Sequence, residues 1–205
     1  MKTTQPILLV KFLSTLVLAG GLMSAQATVF NYSVTLSGPN ESPTNNSLGT
    51  GFGTVDYDNV AHTLALSVSF SGLSGTTTAS HIHAPTVDPF LLTANVATTT
   101  PSFAGFPLGV TSGTFANTLD LTLSTSYNPS FVTANGGNTT TAEAALASYI
   151  AQGRAYWNIH STAVGSGEIR GFLIAIPEPS TYALTGLGGV GLALHAWNKR
   201  RAKRA

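Results

Sequence analysis

Residues 62–70, "HTLALSVSF", alternate without a break: Leu64, Leu66, Val68 and Phe70 fall on one side, and Thr63, Ala65, Ser67 and Ser69 on the other. In an extended chain successive side chains point to opposite faces, so this is a strand with one face in a core and the other in water. Shorter period-two segments recur at Phe30–Leu36, Gly53–Tyr57, Ala79–His83, Leu91–Ala97, Gly109–Phe115, Leu119–Leu123, Arg154–His160 and Glu168–Ala175, separated by Gly, Pro, Asn and Ser clusters. Short strands at such spacing predict an all-β fold, an antiparallel Greek-key sandwich or barrel. One segment departs from the alternation. Thr140 to Ala151 carries a Thr-x-x-Glu start, with Thr140 as cap and Glu143 completing the box, and Gly153 as stop, which predicts one short helix.

Both termini differ from this body. Lys2 and Lys11 precede the apolar run Phe12–Ala19, and Ala25-Gln26-Ala27 has the small-x-small pattern of a cleavage site, so residues 1–27 read as a signal peptide. The run is short of the ~20 residues that a membrane span needs. At the other end stand Pro177, Glu178 and Pro179, an apolar stretch from Tyr182 to Trp197, and the basic residues Lys199, Arg200, Arg201, Lys203 and Arg204. Sixteen helical residues would cover roughly 24 Å of a hydrocarbon core about 30 Å thick, which predicts a short anchor helix with its basic end in the cytoplasm. This order of parts resembles the PEP-CTERM sorting signal of Gram-negative bacteria. The resemblance implies processing by a signal peptidase and by an exosortase, transient anchoring in the inner membrane, and a final place at the cell surface, the outer membrane or in an extracellular matrix.

Without the termini, only Arg154 and Arg170 remain against seven acids, so residues 28–176 carry a net charge near −5 although the whole chain carries +1. Phosphate neutralisation needs a basic face, which argues against nucleic acid as a partner. With no cysteine in the chain, an exported body of ~150 residues is held by its core alone, and that length suffices.

Chemistry concentrates in the histidines. His62 stands beside the turn "YDNVA" and reads as exposed; His195 belongs to the tail. In "SHIHAP" His81 and His83 share a strand face. In "RAYWNIH" Arg154, Tyr156, Asn158 and His160 share one face, with Ala155, Trp157 and Ile159 on the other, apolar face that goes to the core. If these strands are neighbours, His81, His83 and His160 converge, and three neutral imidazoles suit copper or zinc with a fourth position open. His-x-His also occurs in strands without metal, each ring donating to a carbonyl or carboxylate, and both readings stay open here. Asp88 is the one acid near in sequence. In "GSGEIRG", Glu168 and Arg170 share a face, either as an ion pair pinning the last strand or with Arg170 near the histidines, steering a small anion.

"HIHAP" followed by "AYWNIHSTAVGSGEIRG" resembles the CHRD domain of exported proteins, over about residues 29–176. Tyr156, Asn158 and His160, and Gly167, Glu168, Arg170 and Gly171, match that family's motifs, while "TVDPF" departs from its usual glycine-rich loop. A looser likeness is to copper/zinc superoxide dismutases, Greek-key barrels with a His-x-His pair, a late histidine and a late arginine. His81, His83, His160 and Arg170 stand in that order, without a bridging histidine, further zinc ligands or a disulfide. No set of nucleophile, base and orienting group is evident, which predicts a non-catalytic binding or structural module, with a three-histidine copper or zinc domain, possessing redox activity, as the alternative. A carbohydrate-binding surface would need exposed aromatic platforms, and Trp157 reads as core.

Overall fold

A computed structural model describes residues 29–177. The predicted leader and nearly all of the predicted tail, including Glu178, Pro179 and His195, lie outside the described residues, and none of the described helices is long and apolar enough to cross a membrane. The strands are β1 (Val29–Ser37), β2 (Thr50–Asp58), β3 (Thr63–Ser71), β4 (Thr77–His83), β5 (Gly113–Asp120), β6 (Tyr156–Ser161), β7 (Ile169–Phe172) and β8 (Ile174–Ala175); two helices, α1 (Pro129–Ala134) and α2 (Thr139–Ala151), lie between β5 and β6. Alternation acts as predicted in β3, where Leu64, Leu66, Val68 and Phe70 are buried and Ser67 and Ser69 exposed. β1, β2 and β3 form an antiparallel meander in unbroken register, and the whole sheet runs β4-β6-β7-β1-β2-β3-β5, with β8 added beside β1. The all-β expectation holds. This single sheet curls into a half-barrel; its pairings trace an open path, so closure into a dismutase-type Greek key is not part of the described structure.

Local competition redraws several boundaries. Leu91–Ala97 is not a strand: Phe90 and Leu92 have positive φ, and only the isolated bridge His83↔Val96 remains. The two strands expected at 109–115 and 119–123 are the single β5. It ends where the Asp120 carboxylate accepts from the Thr122 amide (2.9 Å) and hydroxyl (2.6 Å), a local turn that outcompetes the ladder. The final strand breaks at Leu173, which is buried and whose amide reaches Ala155 O (3.1 Å), so that residues 174–175 pair with β1. α2 begins one residue before the predicted cap: Asn138 Oδ1 accepts from Thr141 N (3.0 Å), and the Glu143 carboxylate, instead of closing a capping box, takes hydrogen bonds from Tyr57 Oη (2.9 Å) and His62 Nδ1 (2.9 Å). α1 was not anticipated, although Asn128 as cap with Pro129 in the first turn is a helix start.

An edge strand with unpaired backbone groups invites aggregation, and the outer edge of β4 is covered by an irregular strap, residues 94–111. Ala84 N donates to Asn95 O, Ala97 N to Ile82 O, Phe103 N to Ser80 O and Thr77 N to Val110 O, at 2.8–3.1 Å. Phe103 is 2 % exposed and meets Trp157 edge-on (5.6 Å) and Phe115 stacked (5.8 Å), while Phe106 stacks on Phe70 (5.5 Å). The strap thereby joins the two ends of the open sheet through aromatic rings. Trp157 is core as expected, with its Nε1–H on Ser80 Oγ (2.7 Å).

A second fastening is Glu168, which is fully buried. Its carboxylate accepts from the hydroxyls of Ser47 (2.6 Å) and Ser74 (2.7 Å) and from the Ser74 amide (2.6 Å), tying the loops before β2 and after β3 to the last strands. Burial pushes this carboxyl up, but the hydrogen bonds from Ser161, Ser47 and Ser74 outweigh it and bring it to about 2.

Two stability predictions arise. Phe103→Ala is expected to cost about 3–5 kcal/mol in urea unfolding, the range for truncating a buried aromatic; a loss below about 1 kcal/mol, the level of a surface change, would mean the strap holds nothing. For Glu168 the folded state binds its proton more weakly than the unfolded chain does, so the stabilisation is present above pH 4.5 and is lost as pH falls toward 2. Glu168→Gln is therefore expected to lose about 1.5–3 kcal/mol at neutral pH, with the difference from the natural protein shrinking over that acid window. A pH-independent difference would exclude the carboxylate charge as its source.

Candidate metal centre

β4 and β6 are neighbours, which is the condition the histidines need. Their register pairs Ala79 with His160, His81 with Asn158 and His83 with Tyr156; β7 then sets Arg170 beside Asn158 and Phe172 beside Tyr156. Cross-strand partners share a face, so His81, His83, His160, Tyr156, Asn158, Arg170 and Phe172 lie together, opposite Ile82, Trp157, Ile159 and Ile169 in the core. Arg170 also pairs with Ser37, which puts this row on the outer face of the sheet, opposite Tyr32, Val34 and Leu36. It is nevertheless largely covered: His81 is 6 % and His83 9 % exposed, with His160 and Phe172 partly exposed, because the loops after β1, after β4 and between β6 and β7 fold over it.

Each imidazole is held from behind. His81 Nδ1 lies 3.0 Å from Pro101 O, His83 Nδ1 2.8 Å from Ala94 O and His160 Nδ1 3.0 Å from Gly165 O. A carbonyl only accepts, so each Nδ1 carries the proton and each neutral ring presents a lone pair at Nε2. The three ring atoms available as ligands converge within 4.8 Å of one another. His81 Nε2 and His160 Nε2 stand 2.9 Å apart, and buried His83 Nε2 has no hydrogen-bond partner. Two facing lone pairs at that distance repel unless a cation joins them. A proton is opposed by the surroundings: burial, then the neighbouring imidazoles His83 and His160, push His81 down to about 3; burial pushes His83 down to about 4 and also lowers His160. A metal ion is a cation that these ligand atoms could hold. Bonds of about 2.0–2.1 Å in a tetrahedral shell separate ligand nitrogens by roughly 3.3 Å, which the observed spacings bracket. Ring N–H groups fixed on carbonyls are also the outer support that metal-ligating histidines have.

Arg170 lies one ring away from this group. Its guanidinium covers Tyr156 (4.7 Å), and Tyr156 stacks on His83 (4.7 Å, 6° between planes). The expected pair with Glu168 is not formed. Arg170 Nε donates to Asn40 O (2.6 Å) and Nη1 to Leu92 O (3.0 Å), and the carboxylate facing it is Glu41 at 3.7 Å. Burial raises the Glu41 carboxyl to about 7 against the pull of Arg170. Glu41 Oε1 and Asn158 Oδ1 are buried without hydrogen-bond partners. Glu41 lies in a Pro, Asn and Ser-rich loop with no pattern that marks it, and the stacking role of Tyr156 is signalled only by its place on the His160 face. Asp88 is exposed, and of the carbonyl or carboxylate acceptors expected for the rings, main-chain carbonyls serve all three Nδ1 atoms. His62 is half-exposed and serves Glu143, away from the cluster.

A family model for the CHRD domain matches residues 32–173, and the PEP-CTERM protein-sorting motif matches residues 175–201. No curated protein and no solved structure matches the chain. The sorting motif implies export, processing by an exosortase and transient membrane anchoring through the C-terminus in a Gram-negative bacterium. The domain match runs from β1 through Leu173 and takes in all three histidines and Arg170, and the chain belongs to the CHRD domain family.

Proposed function

We propose that this exported domain is a non-catalytic binding module, retained at the cell surface or in the extracellular matrix, that holds one copper ion through His81, His83 and His160. The observation that carries this reading is that one ring nitrogen from each of His81, His83 and His160 lies within 4.8 Å of the others, with each ring fixed by a carbonyl at Nδ1 and His83 Nε2 buried without a partner. Copper is put before zinc because an all-imidazole site follows the general affinity order, in which Cu²⁺ stands highest. Tyr156 and Arg170 would hold the His83 ring in place, and the bound ion would supply Lewis acidity and redox capacity at a site that the covering loops shield from solvent. The motif-implied export, the low charge of the domain and its lack of a nucleophile–base pair support a role in binding rather than turnover.

Calorimetric titration of residues 28–176 with Cu²⁺ and Zn²⁺ tests the reading. One equivalent of copper is expected to bind at sub-micromolar affinity and to give a nitrogen-coordinated paramagnetic spectrum. His160→Ala, at the most accessible ligand, is expected to weaken binding by about 10–100-fold or more with the far-ultraviolet spectrum unchanged. Full-strength binding in the triple variant His81→Ala, His83→Ala, His160→Ala, or no binding to the folded natural domain, would refute it.

A further inference from the structure

In the loop after β4, Val87, Phe90, Leu91 and Leu92 are 51–75 % exposed, an unusual density of large apolar side chains in six residues. Phe90 and Leu92 also have φ of 59° and 63°, a left-handed backbone that bulky L-residues avoid. Part of this strain is repaid inward, since Phe90 packs edge-on against Phe172 (5.7 Å) and its amide bonds Gly153 O (2.8 Å). Leu91 has no such burial. Phe90, Leu91, Leu92 and Ile174 form the apolar side of one open cleft of about 610 Å³, whose other side carries Asn40, Glu41 and Arg170. Ile176 continues the β8 ladder by donating to Asn31 O (2.8 Å), so it projects to the same side as Ile174; the two are 44 % and 48 % exposed.

The position of this patch points to what covers it. The sorting motif matches from residue 175, and its apolar stretch starts at Tyr182, six residues beyond Ile176. Six residue steps reach at most roughly 20 Å, so in the tethered chain the sheet edge carrying Ile174 and Ile176 stays within that distance of the membrane. A tether turns a weak apolar contact into an effectively intramolecular one. The net charge near −5 of the domain gives no electrostatic attraction to anionic lipid, so such a contact must be apolar.

We propose that, while the chain is anchored, Val87, Phe90, Leu91 and Leu92, together with Ile174 and Ile176, insert into the interfacial layer of the lipid bilayer and fix the orientation of the domain on it. The proposal rests on the anchoring implied by the sorting motif and is independent of metal binding.

The chain has no cysteine, so an environment-sensitive fluorophore can be attached at Leu91→Cys alone, with Leu48→Cys (the native leucine is 90 % exposed) as reference. The full chain is reconstituted through its C-terminus in phosphatidylethanolamine/phosphatidylglycerol vesicles. Expected at position 91 are blue-shifted emission and several-fold stronger quenching by headgroup-level spin-labelled lipid than at position 48, insensitive to salt. Adding Leu92→Asp is expected to reverse both. Water-like emission at position 91 would overturn the proposal, as would a blue shift that vanishes on diluting protein at constant lipid, which would make the occupant a second copy.

Discussion

Strand β6 has to satisfy two different environments, and most of the structure answers that requirement. Ala155, Trp157 and Ile159 are sealed in the core, yet Tyr156 and Asn158 between them are 2 % exposed on the opposite face. A strand buried on both faces is usual in parallel sheets and needs an added cover in an antiparallel one. Here the cover is made of loops, and loops bring unpaired carbonyls with them. Those carbonyls need donors if they are buried, and the outer face of β4, β6 and β7 supplies donors in the form of imidazole and guanidinium groups. The histidines and Arg170 thereby allow this second face to be largely buried.

The same bonds have a chemical consequence. Donating Nδ1–H to a carbonyl leaves a neutral imidazole with its lone pair at the other nitrogen. Three such rings stand on two adjacent strands, and their ligand atoms lie within 4.8 Å of one another. A purely architectural role would be complete with the Nδ1 bonds alone and would leave Nε2 free to find donors of its own. Instead His83 Nε2 has no partner and His81 Nε2 faces His160 Nε2. The Nδ1 bonds account for one side of each ring; the other side is a group of ligand atoms that could hold a metal ion.

How much of this was legible in the sequence divides along physical lines. Alternation located β1, β3, β4 and β6 well, because a half-buried strand must alternate whatever its partners are. It misread Leu91–Ala97, whose apolar residues serve a loop over the outer face, and it split β5, because the Asp120 turn acts through a side chain. The three histidines were found because residues two apart on a strand share a face, a rule independent of tertiary context; their convergence needed the β4–β6 pairing, which the sequence leaves open. Glu41 as the carboxylate facing Arg170 was invisible, since it comes from a loop more than a hundred residues away whose placement no periodicity encodes. Glu143 shows the reverse error, a local capping signal overridden when the side chain found Tyr57 and His62 in another element.

The loop after β4 connects these themes. Its outward side carries Phe90, Leu91 and Leu92, and its main chain supplies Leu92 O to Arg170 and Ala94 O to His83. Three residues separate an exposed apolar side chain from the carbonyl that sets the tautomer of a candidate ligand. The ring contacts run the same way, from Arg170 over Tyr156 to His83, and from Tyr156 to Phe172 and on to Phe90. Ala94 cannot shift without freeing His83 Nδ1 or drawing the ring with it. The loop that departs most from the expected strand pattern thus carries both the exposed apolar side chains and two of the carbonyls that hold His83 and Arg170.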